Sequence, residues 1–251
     1  MSHVVEHSPP AELAPFVDRF WTSARAAGGA ASPTRVLPDG CADVIVDLAG
    51  ARPRAFVVGP MTRAELVDDT RAHDFVAVRF QPGAAAAWFD APLDEWVDAQ
   101  IDLSDAWRDG ARVVASVATA TATAARVDRL AAELLARAHA SPRASVATRA
   151  VALARAVRGA APETSVAALA AQLGLTRQHL ARTFRASVGV GPKMLQRIDR
   201  MQRALALLAR RPAPPLVDVA LTCGYADQPH LTGELVALTG RTPGAWRADP
   251  R

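Results

Sequence analysis

This chain of 251 residues holds two cysteines, one tyrosine and one lysine, and aromatic residues make up only 5% of it. Cys41 and Cys223 show no C-x-x-C spacing, which argues against a disulfide framework and against a cysteine-rich zinc site and leaves reduced thiols as the expectation. Long apolar runs are also missing. No stretch of about 18 uncharged apolar residues occurs, and the N-terminus MSHVVEHSPPAELAPF has neither the basic region nor the apolar stretch of a secretory signal. A cytoplasmic location without membrane association is therefore expected. A metal site would need His3, His7 or His73 to converge with carboxylates, and none shows H-x-H or H-E-x-x-H spacing, so no metal, no cofactor and no catalytic residue is expected.

Half the residues are apolar, and the length suits about two ordinary domains with sizeable cores. The basic residues are nearly all arginine, which together with abundant alanine reflects compositional bias, so their number alone says little. Their distribution says more. Residues 165–251 hold 12 Lys/Arg against 5 Asp/Glu, a net of +7, which leaves −3 for residues 1–164 of the whole-chain +4. A basic C-terminal third on a mildly acidic remainder suggests that one part meets a polyanion.

The first hundred residues read as short strands. RVLPDGCADVIVDLAG (35–50) sets a Pro38-Asp39-Gly40 turn before Val44-Ile45-Val46, RAFVVGP gives another strand, and DFVAVRFQPG (74–83) alternates, with Val76, Val78 and Phe80 on one face. A small sheet or barrel is expected. From about Ala84 the period becomes helical. Val127, Leu130, Ala131, Leu134, Leu135 and Ala138 form an apolar stripe, read first as packing inside its own domain and second as a dimer contact. TATATAAR (119–126) reads as a helix junction, Ser141-Pro142 as the opening of a further helix, and GAAPETS (159–165) as a break in the period. The expectation is an α+β chain: an N-terminal regulatory domain over 1–140, a linker helix and junction over 141–164, and an all-α domain over 165–251.

That last domain is written twice. Ala170 to Gly174 and Ala220 to Gly224 both span four residues, and Leu180-Phe184-Gly189-Pro192 has the steps of Leu231-Leu235-Gly240-Pro243. Only the turn differs, at six residues from Gly174 to Leu180 and seven from Gly224 to Leu231. Each copy suits two helices meeting at a tight corner: a small residue for close approach, a glycine to end the first helix in the left-handed conformation, a leucine to pack the second. This is helix-turn-helix geometry, in which the second helix enters the major groove. Thr176 caps the first such helix and, with Leu180 and Phe184 inward, Arg177, Gln178, His179, Arg182 and Arg185 remain to meet double-stranded DNA, as does Lys193 beyond it. Arginine and glutamine can bind guanine and adenine edges bidentately. In the second copy the candidates are Asp227, Gln228, His230 and Thr232. KMLQRIDRMQRALALLARR (193–211) reads as one long helix holding the two units about one DNA turn apart.

The segment from about 160 to 250 resembles the AraC/XylS-type DNA-binding domain of bacterial transcription regulators, on SVAALAAQLGLTRQHLARTFRASVGVGP, the connecting helix and DVALTCGYADQPHL…TGRTP. The upstream LPDGCADVIVDL, VVGPMTR and VAVRFQPG are similar to the N-terminal regulatory domains of one uncharacterised branch. The resemblance implies a transcription regulator whose partners are DNA, a small-molecule effector, RNA polymerase and a second copy of the chain. It also marks departures: the family usually has a basic residue at Gly233 and an aromatic at Leu235, and cations after Glu234, where this chain has apolar residues. The second unit is therefore expected to contact DNA less than the first. Two alternatives stand beside this reading. One is a DNA-repair or other enzyme carrying the same module, but the signature around the reactive cysteine of such enzymes is absent at Cys41, which reads instead as a buried small apolar residue. The other is an interaction protein that uses the fold without DNA. Trp21, Trp88, Trp96, Trp107 and Trp246 read as packing residues before pocket residues.

Overall fold

The structure is a computed structural model that describes residues 4–26, 33–67, 71–89, 91–140, 144–161 and 164–249. The strands among the described residues are β1 (Val5–His7), β2 (Val17–Arg25), β3 (Thr34–Val36), β4 (Asp43–Asp47), β5 (Arg54–Val58), β6 (Glu65–Val67), β7 (His73–Phe80) and β8 (Gln100–Asp102). Six form one antiparallel sheet in the order β1-β2-β7-β4-β5-β8, and β3 pairs β6 in a separate ribbon. The main sheet is open, with β1 and β8 at its edges. Alternation decides its faces: Val76, Val78 and Phe80 of β7 point to the core with Val44, Val46, Val57 and Phe20, and all are at most 1% exposed.

Two 3-10 turns, Ala85–Ala87 and Leu93–Trp96, lie between β7 and β8, and α1 (Leu103–Ala106), α2 (Gly110–Ala118) and α3 (Thr123–Ala140) follow. The break between α2 and α3 falls inside TATATAAR, at the expected helix junction. Val127, Leu130, Ala131 and Leu134 of α3 are buried in the sheet core, and Leu135 and Ala138 pack against it. The stripe is thus spent within its own domain rather than offered to a second copy. Trp88, Trp96 and Trp107 join the same core, where Trp107 Nε1 donates to the Trp88 carbonyl at 2.7 Å. Trp246 is buried in the C-terminal core.

The helices α4 (Ala144–Gly159), α5 (Val166–Gln172), α6 (Arg177–Val188), α7 (Pro192–Leu208), α8 (Leu216–Cys223), α9 (Gln228–Thr239) and α10 (Pro243–Ala248) complete the chain. The expected helix start at Ser141-Pro142 lies outside the described residues. Helix α4 serves both halves: Ala147 and Val151 are buried in the sheet core, while Ala154 and Val157 join Leu169, Leu180, Phe184 and Leu195. Helix α7 is the spine of the C-terminal part. Its Leu195 belongs to the core around α6, and its Met201, Ala204 and Leu208 to the core around α9.

Cys41 departs from expectation. It is largely but not fully buried and lies outside the apolar core, because Asp39 Oδ1 accepts the Cys41 N–H at 2.9 Å and the turn presents the residue to a cavity between the sheet and α4. Burial of the sulfur beside Asp39 still pushes its thiol pKa well above the ordinary value. His7 and His73 are tied to the sheet through Thr22 and Ser23, at 3.3 and 3.1 Å, and His3 lies outside the described residues.

Candidate nucleic-acid interface

The two corners are built alike. The Leu175 N–H donates to the Ala170 carbonyl at 2.9 Å and the Tyr225 N–H to the Ala220 carbonyl at 2.9 Å. Gly174 (φ +67°) and Gly224 (φ +79°) stand in the left-handed conformation that this bond pattern requires. Ala170 and Ala220 are at most 1% exposed, so a larger side chain would hold the helices apart. The extra residue of the second turn is Ala226: Thr176 follows Leu175 directly as the cap of α6, whereas Ala226 separates Tyr225 from Asp227, the cap of α9. The inserted amide is satisfied locally, donating to His230 Nδ1 at 3.2 Å, and the His230 ring stands edge-on to Tyr225.

This difference separates the two outward faces. On α6, Thr176 Oγ1 accepts the His179 N–H at 3.1 Å. Leu180 and Phe184 are fully buried. Arg177, Gln178, His179, Arg182 and Arg185 are all exposed, and no side-chain hydrogen bond or ion pair of theirs occurs among the described residues. Their donors are free for a ligand. On α9, Asp227 Oδ1 accepts the His230 N–H at 2.7 Å, and Thr232 Oγ1 donates to the Gln228 carbonyl at 2.9 Å. With His230 Nδ1 engaged as well, three of the four second-unit candidates have polar groups occupied within their own unit. Gln228 alone is exposed with its side-chain amide unengaged among the described residues. Beyond it Gly233, Val236 and Ala237 are exposed, so the outer face of α9 ends in small and apolar groups.

Between the units lies a groove of about 970 Å³ along α7, lined by Arg177, Lys193, Arg197, Arg200, Arg203 and His230 among others. Lys193 is exposed at the start of α7, next to Pro192 in the first turn. Sequence reasoning missed what holds the second unit to α7. Glu234 is 8% exposed and takes Arg197 Nε at 2.7 Å and Arg200 Nη2 at 2.6 Å. Arg200 also donates to the Gly224 carbonyl at 3.2 Å and lies 4.6 Å over the Tyr225 ring. A signal was present: Leu231, Glu234, Leu235 and Leu238 make one inward stripe at helical spacing, so a carboxylate occupies a core position and needs a cation. Arg197 and Arg200, three apart on the connecting helix, are that partner.

A family model agrees with the geometry of the two corners. Residues 169–249 match the model of a helix-turn-helix domain of the AraC type. The C-terminal third of the chain is thus a helix-turn-helix domain of the AraC type. Residues 5–102 match a domain of unknown function, DUF6597. Among curated proteins, a probable bifunctional transcriptional activator/DNA repair enzyme AlkA of Mycobacterium tuberculosis, from strains CDC 1551 / Oshkosh and ATCC 25618 / H37Rv, is 37% identical over 100 residues. That match takes in 38% of this chain and 20% of the relative, so the chain spans about a fifth of the length of the curated relatives it matches. Among solved structures, an apo ToxT variant of Vibrio cholerae is similar with a TM-score of 0.42 at 11% identity, covering 99% of this chain and 96% of that one. Wild-type ToxT with a bound unsaturated fatty acid gives 0.39 at 11%, covering 98% and 94%. No helix among the described residues is long and apolar enough to cross a membrane.

Proposed function

We propose that the chain is a sequence-specific, double-stranded-DNA-binding transcription regulator without an enzymatic step, in which α6 carries most of the base reading. The observation behind this division is the exposed face of α6, whose Arg177, Gln178, Arg182 and Arg185 have no partner among the described residues, against an α9 whose polar groups are largely occupied. Gln178 and Arg182 are assigned to base edges, with Gln228 as the reader in the second unit. Arg177, Arg185 and Lys193 are assigned to phosphates, with Thr176 and His179 at the N-terminus of α6 alongside, while Asp227, His230 and Thr232 flank the DNA with their polar groups held by their own unit. Residues 165–251 act as the DNA-binding domain, 141–164 as the junction, and 1–140 as the domain through which an effector controls occupancy. Contact with RNA polymerase and pairing with a second copy belong to the same reading.

Selection of bound sequences from a random duplex library by the full-length protein tests it. The expected result is one enriched motif in which the positions read by α6 are sharply defined and those under α9 are weak. An equally sharp second half would overturn the division, and no enrichment would overturn the function.

A further inference from the structure

A second cavity, of about 420 Å³, opens where the sheet domain meets α4 and α7. The sheet side contributes Asp39, Cys41 and Arg79, and α4 contributes Arg155 and Arg158. The walls are already bridged across the domain boundary: Gln202 Nε2 of α7 donates to the Pro38 carbonyl at 2.8 Å, and Arg158 donates to the Asp39 carbonyl.

The charges in this cavity do not balance locally. Each carboxylate on its wall has an arginine: Asp18 has Arg19 at 2.7 Å, Asp39 has Arg79 at 3.0 Å, and Asp199 has Arg203 at 3.3 Å. Asp43, behind the wall, holds Arg79 at 2.9 Å. Two arginines have no such partner. Arg155 gives one N–H to Gln81 Oε1 at 2.7 Å, Arg158 reaches only a backbone carbonyl, and neither pairs with a carboxylate among the described residues. The Arg158 Nε is buried without an acceptor, which leaves a donor of a charged group unsatisfied at the cavity.

We infer that this cavity binds a small organic anion, held through a carboxylate or phosphate group by Arg155 and Arg158. The inference rests on the regulator reading above and locates its effector site at the domain junction rather than inside the sheet domain, whose inner face is filled by aliphatic and aromatic side chains. The volume falls in the small-ligand range. A ligand there touches both the sheet domain and the helix that leads into the first helix-turn-helix unit, so occupancy changes how the two are docked.

Cys41 makes the site testable, because its sulfur lines the cavity while Cys223 is buried elsewhere. The full-length protein is treated with iodoacetamide in inorganic phosphate, succinate or benzoate against a chloride control of equal ionic strength, and alkylation of each cysteine is followed by peptide mass spectrometry. At least one probe slows Cys41 by more than threefold and leaves Cys223 unchanged, and the phosphate and carboxylate arms identify the group. Arg158→Gln and Arg155→Gln both abolish the protection; Arg155 is exposed, so its replacement keeps the test valid if the other variant does not fold. Cys41 rates within threefold of chloride for every probe, or equal protection in the Arg155→Gln protein, overturn the site. The same samples are assayed for DNA binding: binding without Cys41 protection refutes the anion site alone, and protection without binding refutes the DNA reading alone.

Discussion

Replacing Glu234 by glutamine keeps the shape of the side chain and removes the carboxylate that Arg197 and Arg200 share. Four N–H···O contacts between 2.6 and 3.1 Å converge on it. Two unit charges about 4 Å apart attract by about 4 kcal/mol at an effective dielectric of about 20, so the two pairs gain about 8 kcal/mol before the cost of desolvation, which removes several kcal/mol per ion. Breaking one buried pair by deleting a partner costs about 3–5 kcal/mol in general. Here the Arg197 and Arg200 side chains keep 31% and 16% of their exposure and can rehydrate, and Arg200 retains the Tyr225 ring. The expected loss is therefore about 2–3 kcal/mol, or a melting temperature lower by roughly 4–10 °C for a chain of this size. Urea unfolding followed by tryptophan fluorescence reads it, since Trp246 is buried in the same core as Leu235 and Leu238. A loss under about 0.5 kcal/mol, the size of an exposed surface pair, would refute the assignment of Glu234 as the tie between α9 and α7.

Other consequences follow from the same contacts. Arg182→Ala should weaken binding to the selected site by about 1–3 kcal/mol in a fluorescence-anisotropy titration, and His230→Ala by distinctly less, because its Nδ1 already serves Ala226; equal losses would contradict the division between the units. Gly233→Ala should raise stability by up to about 1 kcal/mol, since an added Cβ meets nothing within 4 Å and helix propensity improves. Gly189→Ala should lower it, since φ is +87° and the Cβ would stand 2.8 Å from Pro60 Cγ; thermal melts of the two variants moving in the same direction would refute this. Glu133 accepts Arg112 at 2.8 and 2.9 Å, which holds its carboxyl below the ordinary 4.5. A depressed carboxyl contributes stability that is present above that value and lost as pH falls through the folded one. Glu133→Gln should therefore flatten the acid limb of the stability profile below about pH 4.5 and leave the neutral region's pH dependence unchanged.

The scaffold was legible because it is written in positions that physics restricts: the small residue at the corner, the left-handed glycine, the leucine four residues before the next inward side chain, the proline of the following helix. Two copies at matching steps made chance coincidence implausible and put α6 and α9 in place before any coordinates. Strands β4, β5 and β7 were legible from alternation and from the turns that bound them. What stayed hidden depended on partners distant in the chain. The local duties of Asp227, His230 and Thr232, whose polar groups serve the cap, the inserted Ala226 and the Gln228 carbonyl, could not be read from residue type. The partners of Glu234, Arg197 and Arg200, lie more than thirty residues away on another helix. Cys41 sat at the start of a strand, where a buried residue is the default, but the domain junction beside it is a packing outcome that no local pattern encodes.

The central claim is that the free cations of α6 and α7 meet a DNA backbone while Gln178 and Arg182 read bases. Its most direct test is the salt dependence of binding by the full-length protein to its selected site and to random duplex, measured alongside Gln178→Ala. The three phosphate contacts assigned to Arg177, Arg185 and Lys193 give a slope of log affinity against log salt of about −3. The account predicts that steep fall on both duplexes, tighter binding to the selected site throughout, and a Gln178→Ala protein that loses the preference while keeping the slope. A salt-insensitive affinity, or an unchanged preference in Gln178→Ala, would contradict it.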